Sequence, residues 1–380
     1  MFIKRDIQEF FAKRMSSGKV LVVYGPRQAG KTTSIEHYIA ENGLTSNVVT
    51  FNGDEAADRE LLADASAERL RLLVGNKKIV FIDEAHKIPA IGFVLKRFYD
   101  KLKGIQVIAS GSSSEELAEK TEEPLTGRKF EYTLLPPSFG ELAATTSPVE
   151  EMRELERRLM FGSYPDVVAH PGDETARIRE IGKGYLYKDI LKYDEIKRPE
   201  LLDKLLKALS FQIGQEVSFN ELAQLVGSDP KTVSKYIDIL EKAFIVFKVG
   251  SYSGNLRNEL KKSRKVYFYD LGIRNYVIGD WRPLAMRGDL EVGHVWENYF
   301  MSERRKRILM VEPETQMFFW RTTQRQEVDL VEVSAYGLKA YEVKWNPLKA
   351  TGSFCKTFVE AYPHAECTWV SPINYMSQLM

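Results

Sequence analysis

The chain has 380 residues, 54 basic against 53 acidic, and a net charge of +1. That length exceeds what one hydrophobic core organises, so several domains are expected, and the charge balance leaves any argument for a polyanionic partner to local patches. Two cysteines, Cys355 and Cys367, are too few for a disulfide framework and wrongly spaced for a zinc knuckle, so both are read as free thiols. The amino terminus lacks the apolar stretch of a signal peptide and no run approaches a membrane span, so a reducing cytoplasm and no membrane partner are expected.

Residues 1–18 place Ile3, Ile7, Phe10 and Phe11 at helical spacing, an amphipathic lead-in. Four short apolar runs follow, at 19–25, 47–53, 77–85 and 105–113, separated by helical patterning. Alternating strand and helix predict a parallel sheet covered by helices. Pro124, Pro136, Pro137 and Pro148 break this rhythm around the apolar run FEYTLL. The expected division is a P-loop domain over 1–145, a helical connector over 146–199, a unit over 200–286 and a last unit over 287–380.

GPRQAGKT obeys the G-x-x-x-x-G-K-T pattern, after a strand and before a helix. Gly25 and Gly30 let the backbone curl so that its N–H groups face phosphate, Lys31 is expected at the β and γ phosphates, and Thr32 on Mg²⁺. The strand IVFIDEAHK ends in two acids: Asp83 as metal partner and Glu84 as the group that orients or deprotonates water. The next strand, IQVIASGSSS, ends in hydroxyls, so Ser110 or Ser112 can serve as a γ-phosphate sensor. Arg128, isolated in LTGRKFEY, is either an arginine finger or a solvated arginine.

In the third unit, FNELAQLVG and SDPKTVSKYIDILEKAF read as two helices joined at Gly227, the second capped by Ser228 or Asp229 with Pro230 at its first position. IVFKVGSY and RKVYFYD then resemble the wing of a winged helix. Between Asp229 and Lys265 there are nine basic and four acidic residues. Lys231, Thr232, Ser234 and Lys235 on the second helix, with Arg257, Lys261, Lys262, Arg264 and Lys265 about the wing, suit DNA phosphates and base edges. A protein-docking module with a solvated basic loop is the alternative.

The last unit reads as a helix and then strands. Asp329 lies within the apolar strand EVDLVEV, and in KAYEVKW the residues Glu342 and Lys344 share one face. With Glu297 from the preceding helix, this resembles the PD-(D/E)xK nuclease fold, in which such carboxylates hold a second divalent metal and the lysine assists the attacking water. Trp320, Arg321 and Arg325 are candidates for a groove lining, with a core tryptophan as the plainer reading.

GPRQAGKTT, IVFIDEAHK, ASGSSS and LTGRKFEYTLLPPSFGEL together are similar to a family of prokaryotic ATPases joining an AAA-type P-loop domain to a poorly characterised carboxy-terminal domain. The resemblance implies ATP, rather than GTP, and Mg²⁺. It implies phosphate binding by Gly25, Pro26, Arg27, Gln28, Ala29, Gly30, Lys31, Thr32 and Thr33, metal on Thr32 and Asp83, catalysis by Glu84, sensing by Ser110 and Ser112, and a finger at Arg128. Since fingers act on neighbouring subunits, it also implies a homo-oligomer. The expected fold is thus α/β: an AAA-type P-loop NTPase with a parallel sheet, then a winged helix, then an α/β restriction-endonuclease-like domain. Three functions follow as expectations: an ATPase whose nucleotide state repositions the carboxy-terminal module on DNA, an ATP-dependent switch docking a protein, and an ATP-gated, metal-dependent nuclease.

Overall fold

The computed structural model describes residues 2–111, 121, 124–184, 186, 196–253, 264–350 and 354–380. The chain forms two compact units, Lys4–Pro136 and Pro137–Met380, the latter with the first three residues.

In the first unit five strands, β1 (Val20–Tyr24), β2 (Val48–Asn52), β3 (Ile79–Asp83), β4 (Gln106–Gly111) and β5 (Lys129–Thr133), form one sheet in the order β2-β3-β4-β1-β5. Every pairing is parallel. β1 and β4 are buried along their whole length, which is why both are unbroken apolar or small-residue runs. Between strands the chain crosses over in helices whose apolar residues recur at helical spacing. Ile35, Tyr38 and Ile39 are buried on Lys31–Glu41, and Ile91, Val94, Leu95 and Phe98 on Ile91–Lys101. The lead-in helix Ile7–Arg14 buries Ile7 and Phe11, and the Phe11 ring lies 5.4 Å from Tyr38. Four strands fall within the runs expected. The fifth, β5, arises from FEYTLL, where the prolines suggest a break; four of its residues are half-buried and Glu131 is exposed, as befits an edge strand.

The second unit opens with short helices and continues through helices Pro199–Phe211, Phe219–Val226 and Pro230–Lys242. Gly227, with φ +70°, ends the second of these, and the Asp229 carboxylate accepts from Lys231 N and Thr232 N, both at 3.0 Å, to cap the third. A seven-stranded sheet follows: β6 (Glu216–Val217), β7 (Val246–Ser251), β8 (Arg264–Phe268), β9 (Gln316–Arg321), β10 (Glu327–Ser334), β11 (Gly337–Val343) and β12 (Glu366–Val370), ordered β12-β11-β10-β9-β7-β8-β6. β7 pairs β9 in parallel through Gly250 with Phe318 and Ser251 with Phe319. The sheet therefore crosses the boundary expected at 286/287, because β9 covers an edge of β7 that would otherwise stand unpaired. The helix Asp289–Met310 packs beneath, burying Val295, Trp296, Tyr299 and Phe300.

FGSYPDVV holds a tight joint in this unit. Gly162 has φ +75°, and a Cβ there would lie 2.0 Å from Asp270 Oδ1. The buried Asp270 accepts from Ser163 N at 2.8 Å and Ile273 N at 3.2 Å. Gly172, by contrast, has φ +97° with nothing within 4 Å of its would-be Cβ. Gly172→Ala should therefore lose only the left-handed backbone preference, about 1 kcal/mol, whereas Gly162→Ala also displaces a buried carboxylate and should lose at least about 3 kcal/mol. Urea unfolding of the two variants checks this; equal losses would show that Asp270 yields freely.

Candidate functional site

The parallel arrangement brings the carboxyl ends of β1, β3 and β4 to one edge, with β4 between the other two. The loop after β1 turns sharply enough to require its glycine: Gly25 has φ +148°, and a Cβ there would lie 1.9 Å from Leu134 O. Gly30, with φ 93°, leads into the helix that Lys31 begins. The buried Lys31 ammonium donates to the carbonyls of Gly25 and Pro26, both at 2.9 Å. Thr32 Oγ1 donates to Asp83 Oδ2 at 2.8 Å, and Ser110 Oγ donates to Asp83 Oδ1. Residues 78 apart in sequence, Thr32 and Ser110, thus share one carboxylate. Ser112 lies outside the described residues.

Glu84 follows in a left-handed conformation, φ 46° and ψ 41°, which a non-glycine residue adopts at a cost of about 1 kcal/mol or more. The turn is braced from β2. Gly53 N donates to Asp83 O at 2.8 Å, and a Cβ on Gly53 would lie 2.2 Å from Glu84 O. The buried His86 approaches Glu84, Nδ1 to Oε2 at 3.3 Å. Neither Gly53 nor His86 is assigned a role from the sequence; a glycine at the end of a β-branched strand and a histidine two residues beyond the glutamate are the available signals.

Arg5 was also missed. It is buried, and its guanidinium donates to Ala29 O at 2.8 Å and Leu135 O at 2.5 Å, tying the phosphate loop to the segment after β5. Arg27, Gln28 and Thr33 complete the loop, Gln28 with φ 60°. Arg128 lies at the other end of the sheet, where Val20 N donates to its carbonyl, and its Nε donates to Asp100 at 3.2 Å. It is remote from the loop of its own chain, so a finger role requires a second copy.

On the second unit, Lys231 and Lys235 are exposed on their helix, while the Thr232 hydroxyl donates to Asp229 Oδ2 at 2.7 Å. Arg264 is half-buried, and Arg257, Lys261 and Lys262 lie outside the described residues. Lys265 corrects the expectation of a basic surface cluster. It is 1% exposed and donates to Glu297 Oε1 at 3.0 Å and Glu327 Oε1 at 2.5 Å, so it faces carboxylates rather than solvent. Trp320 is likewise core, packed edge-on against Phe358 at 5.2 Å.

Glu297, Asp329 and Lys344 do come together, with Lys265, Glu327 and Arg321, in a cleft of about 1090 Å³. Asp329 sits where the β9–β10 register shifts, between Val328 and Val331. Its Oδ2 accepts from Val343 N at 2.7 Å and Lys344 Nζ at 3.2 Å, and Lys344 also pairs Glu342 at 3.1 Å. Among the described residues no three His, Cys, Asp or Glu side chains are gathered so as to hold a metal ion. Burial pushes the Glu297 carboxyl up to about 7; Lys265 pulls the other way and Asp329 adds to the rise. Burial likewise raises Glu342, and Asp329 adds to it.

Residues 17–143 match a family profile described as an AAA domain, and 152–282 and 292–374 match two domains of unknown function, DUF8612 and DUF4143. The first unit is similar to an AAA-type P-loop domain. An uncharacterized protein of Mycobacterium tuberculosis is 27% identical over 350 residues, spanning 90% of this chain and 74% of that protein. One of Methanocaldococcus jannaschii is 22% identical over 349 residues, spanning 87% and 74%. A solved structure of the Aeropyrum pernix ORC1 protein in complex with DNA aligns at 14% identity over 74% of this chain and 93% of that one, with a TM-score of 0.33. No helix among the described residues is long and apolar enough to cross a membrane.

Arg5→Ala frees the Ala29 carbonyl from a charged donor, so ATP affinity should fall by about 1.5 kcal/mol, roughly tenfold, with partial rescue by Arg5→Lys. Calorimetric titration reads it; unchanged affinity would show that the loop holds itself. For Glu297 the folded chain binds the proton more tightly than the unfolded one. Its stabilising contribution is fully present below the ordinary value of 4.5 and is lost as pH rises through about 7. Wild type should therefore lose thermal stability relative to Glu297→Gln between about pH 5 and about pH 8. A constant difference in melting temperature across that range would contradict the assignment.

Proposed function

We propose that the chain is a Mg²⁺-dependent ATPase whose nucleotide state governs a DNA-engaging module in the second unit. The observation that carries the hydrolytic half is the Asp83 carboxylate held by Thr32 and Ser110, with Glu84 fixed beside it. These residues suit Mg·ATP: the loop turns at Gly25, packed too tightly on Leu134 O for any Cβ, into the helix that begins at Lys31, and the Thr32 hydroxyl and Asp83 carboxylate are adjacent hard oxygen donors. Thr32 and Asp83 would hold the ion, which when bound neutralises charge on the β and γ phosphates. The loop N–H groups and the helix end at Lys31 bind phosphate oxygens, and Lys31 exchanges the Gly25 and Pro26 carbonyls for them. Glu84 orients water and accepts its proton, while Ser110 reports on the γ position through the carboxylate it shares with Thr32.

The DNA half rests on the second unit's element order. Helix Pro199–Phe211, β6, two helices joined at Gly227, then the antiparallel β7 and β8, support a winged helix. Lys231 and Lys235, exposed on Pro230–Lys242, are its phosphate contacts. Helix Asp289–Met310, antiparallel β9 to β11, a helix and the parallel β12 support a restriction-endonuclease-like core. Arg128, paired to Asp100 at the far edge of its sheet, suits a homo-oligomer in which it acts on a neighbour.

ATP turnover with and without duplex or branched DNA is the test. Glu84→Gln should lower turnover about 10²-fold or more while ATP still binds. The double change Lys231→Ala, Lys235→Ala should reduce the slope of log affinity for DNA against log salt by about 2. Turnover indifferent to DNA, with no salt-sensitive binding, would leave only the ATPase half.

A further inference from the structure

The restriction-endonuclease-like reading of the second unit would call for a divalent ion at Glu297 and Asp329, and the side chains in the cleft disagree with it. Glu297 Oε1 already accepts from Lys265 Nζ at 3.0 Å and from Tyr267 OH at 2.6 Å. Its Oε2 faces the backbone of Gly214, where a Cβ would lie 3.1 Å away. Lys265 and Tyr267 are two apart on β8, so one face of that strand addresses a single carboxylate. Lys265 is not a surface lysine that swings aside. It is 1% exposed, it also holds Glu327, and its ammonium lies 5.5 Å from the centre of the Phe319 ring. Asp329 and Glu342 are paired by Lys344, which is half-buried. A divalent ion needs several oxygen donors with free lone pairs; Lys265 and Tyr267 together engage Glu297 Oε1, and the buried ammonium also repels the ion.

We infer that Lys265 is the resident cation of this cleft, standing where a divalent ion would otherwise bind, so that the chain takes no divalent metal between Glu297 and Asp329. The lysine comes from β8, outside the helix and strands that supply the other members, and its two ion pairs tie β8 to the helix Asp289–Met310 and to β10. The centre thus joins the hairpin of the winged-helix reading to the nuclease-like core instead of performing metal-dependent cleavage. The inference rests on the nuclease-like reading of this unit and is independent of ATP hydrolysis.

The test is Mn²⁺ binding to the full-length, nucleotide-free chain, followed by electron paramagnetic resonance. In wild type, Asp329→Asn should leave the amount of bound Mn²⁺ unchanged. Lys265→Met should gain one Mn²⁺ per chain, and adding Asp329→Asn should abolish the gain; Lys265→Arg, which keeps a cation, should gain none. Wild-type Mn²⁺ binding that disappears with Asp329→Asn overturns the inference outright. A folded Lys265→Met that gains no Mn²⁺ instead overturns the nuclease-like reading on which it stands. Should Lys265→Met fail to fold, the comparison of wild type with Asp329→Asn decides the matter by itself.

Discussion

The parallel direction of β1 to β5 is the constraint from which the first unit's chemistry follows. Because the strands all run one way, all five carboxyl ends, with their unpaired backbone groups, face the same edge. Inserting β4 between β1 and β3 sets Ser110 beside Asp83, and the helix after the loop delivers Thr32 to the other oxygen of that carboxylate. The strain in this edge is local and braced. Gly25 and Gly53 approach backbone more closely than any side chain permits, and Glu84 is held in a conformation that a free chain would leave. Rigidity at the strand ends holds the candidate catalytic carboxylate in place.

The second unit holds several charges taken out of water and paired with one another or with backbone. Lys306 donates to Pro137 O at 3.2 Å, Ser163 Oγ at 3.1 Å and Glu303 at 2.7 Å, and Glu303 in turn accepts from Phe139 N at 2.6 Å. Arg304 makes a two-pronged contact with Glu332, both bonds 2.7 Å, and Asp270 anchors the FGSYPDVV turn. Such groups add little net stability compared with an apolar core of equal volume, yet removing one partner strands a buried charge. Each joins elements far apart in sequence: Glu303 reaches Phe139 N, and Arg304 reaches Glu332.

What was legible in the sequence was local. The phosphate loop, the acidic strand end, the capping by Asp229 and the helical stripes all lie within a few residues of one another, so spacing alone carries them. The pairing of β7 with β9 rests on two residue pairs separated by nearly seventy positions, and nothing in either strand announces it. β5 was hidden because the prolines on either side of FEYTLL read as a break, and an edge strand need not be a continuous apolar run. Lys265 was misplaced for a related reason. Counted with its neighbours it looks like part of a basic surface, since its partners Glu297 and Glu327 come from elements 32 and 62 residues away. Arg5 lies in a stretch whose helical pattern explains it without reference to Ala29, 24 residues on.

The two carboxylate centres differ in a way that bears on what each can do. Around Asp83 the partners are hydroxyls, Thr32 and Ser110, together with the Glu84 amide. Hydroxyls are neutral, and by rotating they can turn a lone pair toward a cation, so the same contacts that satisfy Asp83 also suit it to share one. Around Glu297 and Asp329 the partners are ammonium groups, Lys265 and Lys344, which have donors only and carry the charge a metal would have supplied. Both centres gather acids at strand ends or irregularities, and composition does not separate them. The donor type of the nearest neighbours does, favouring ion exchange in the first unit and a fixed joint in the second.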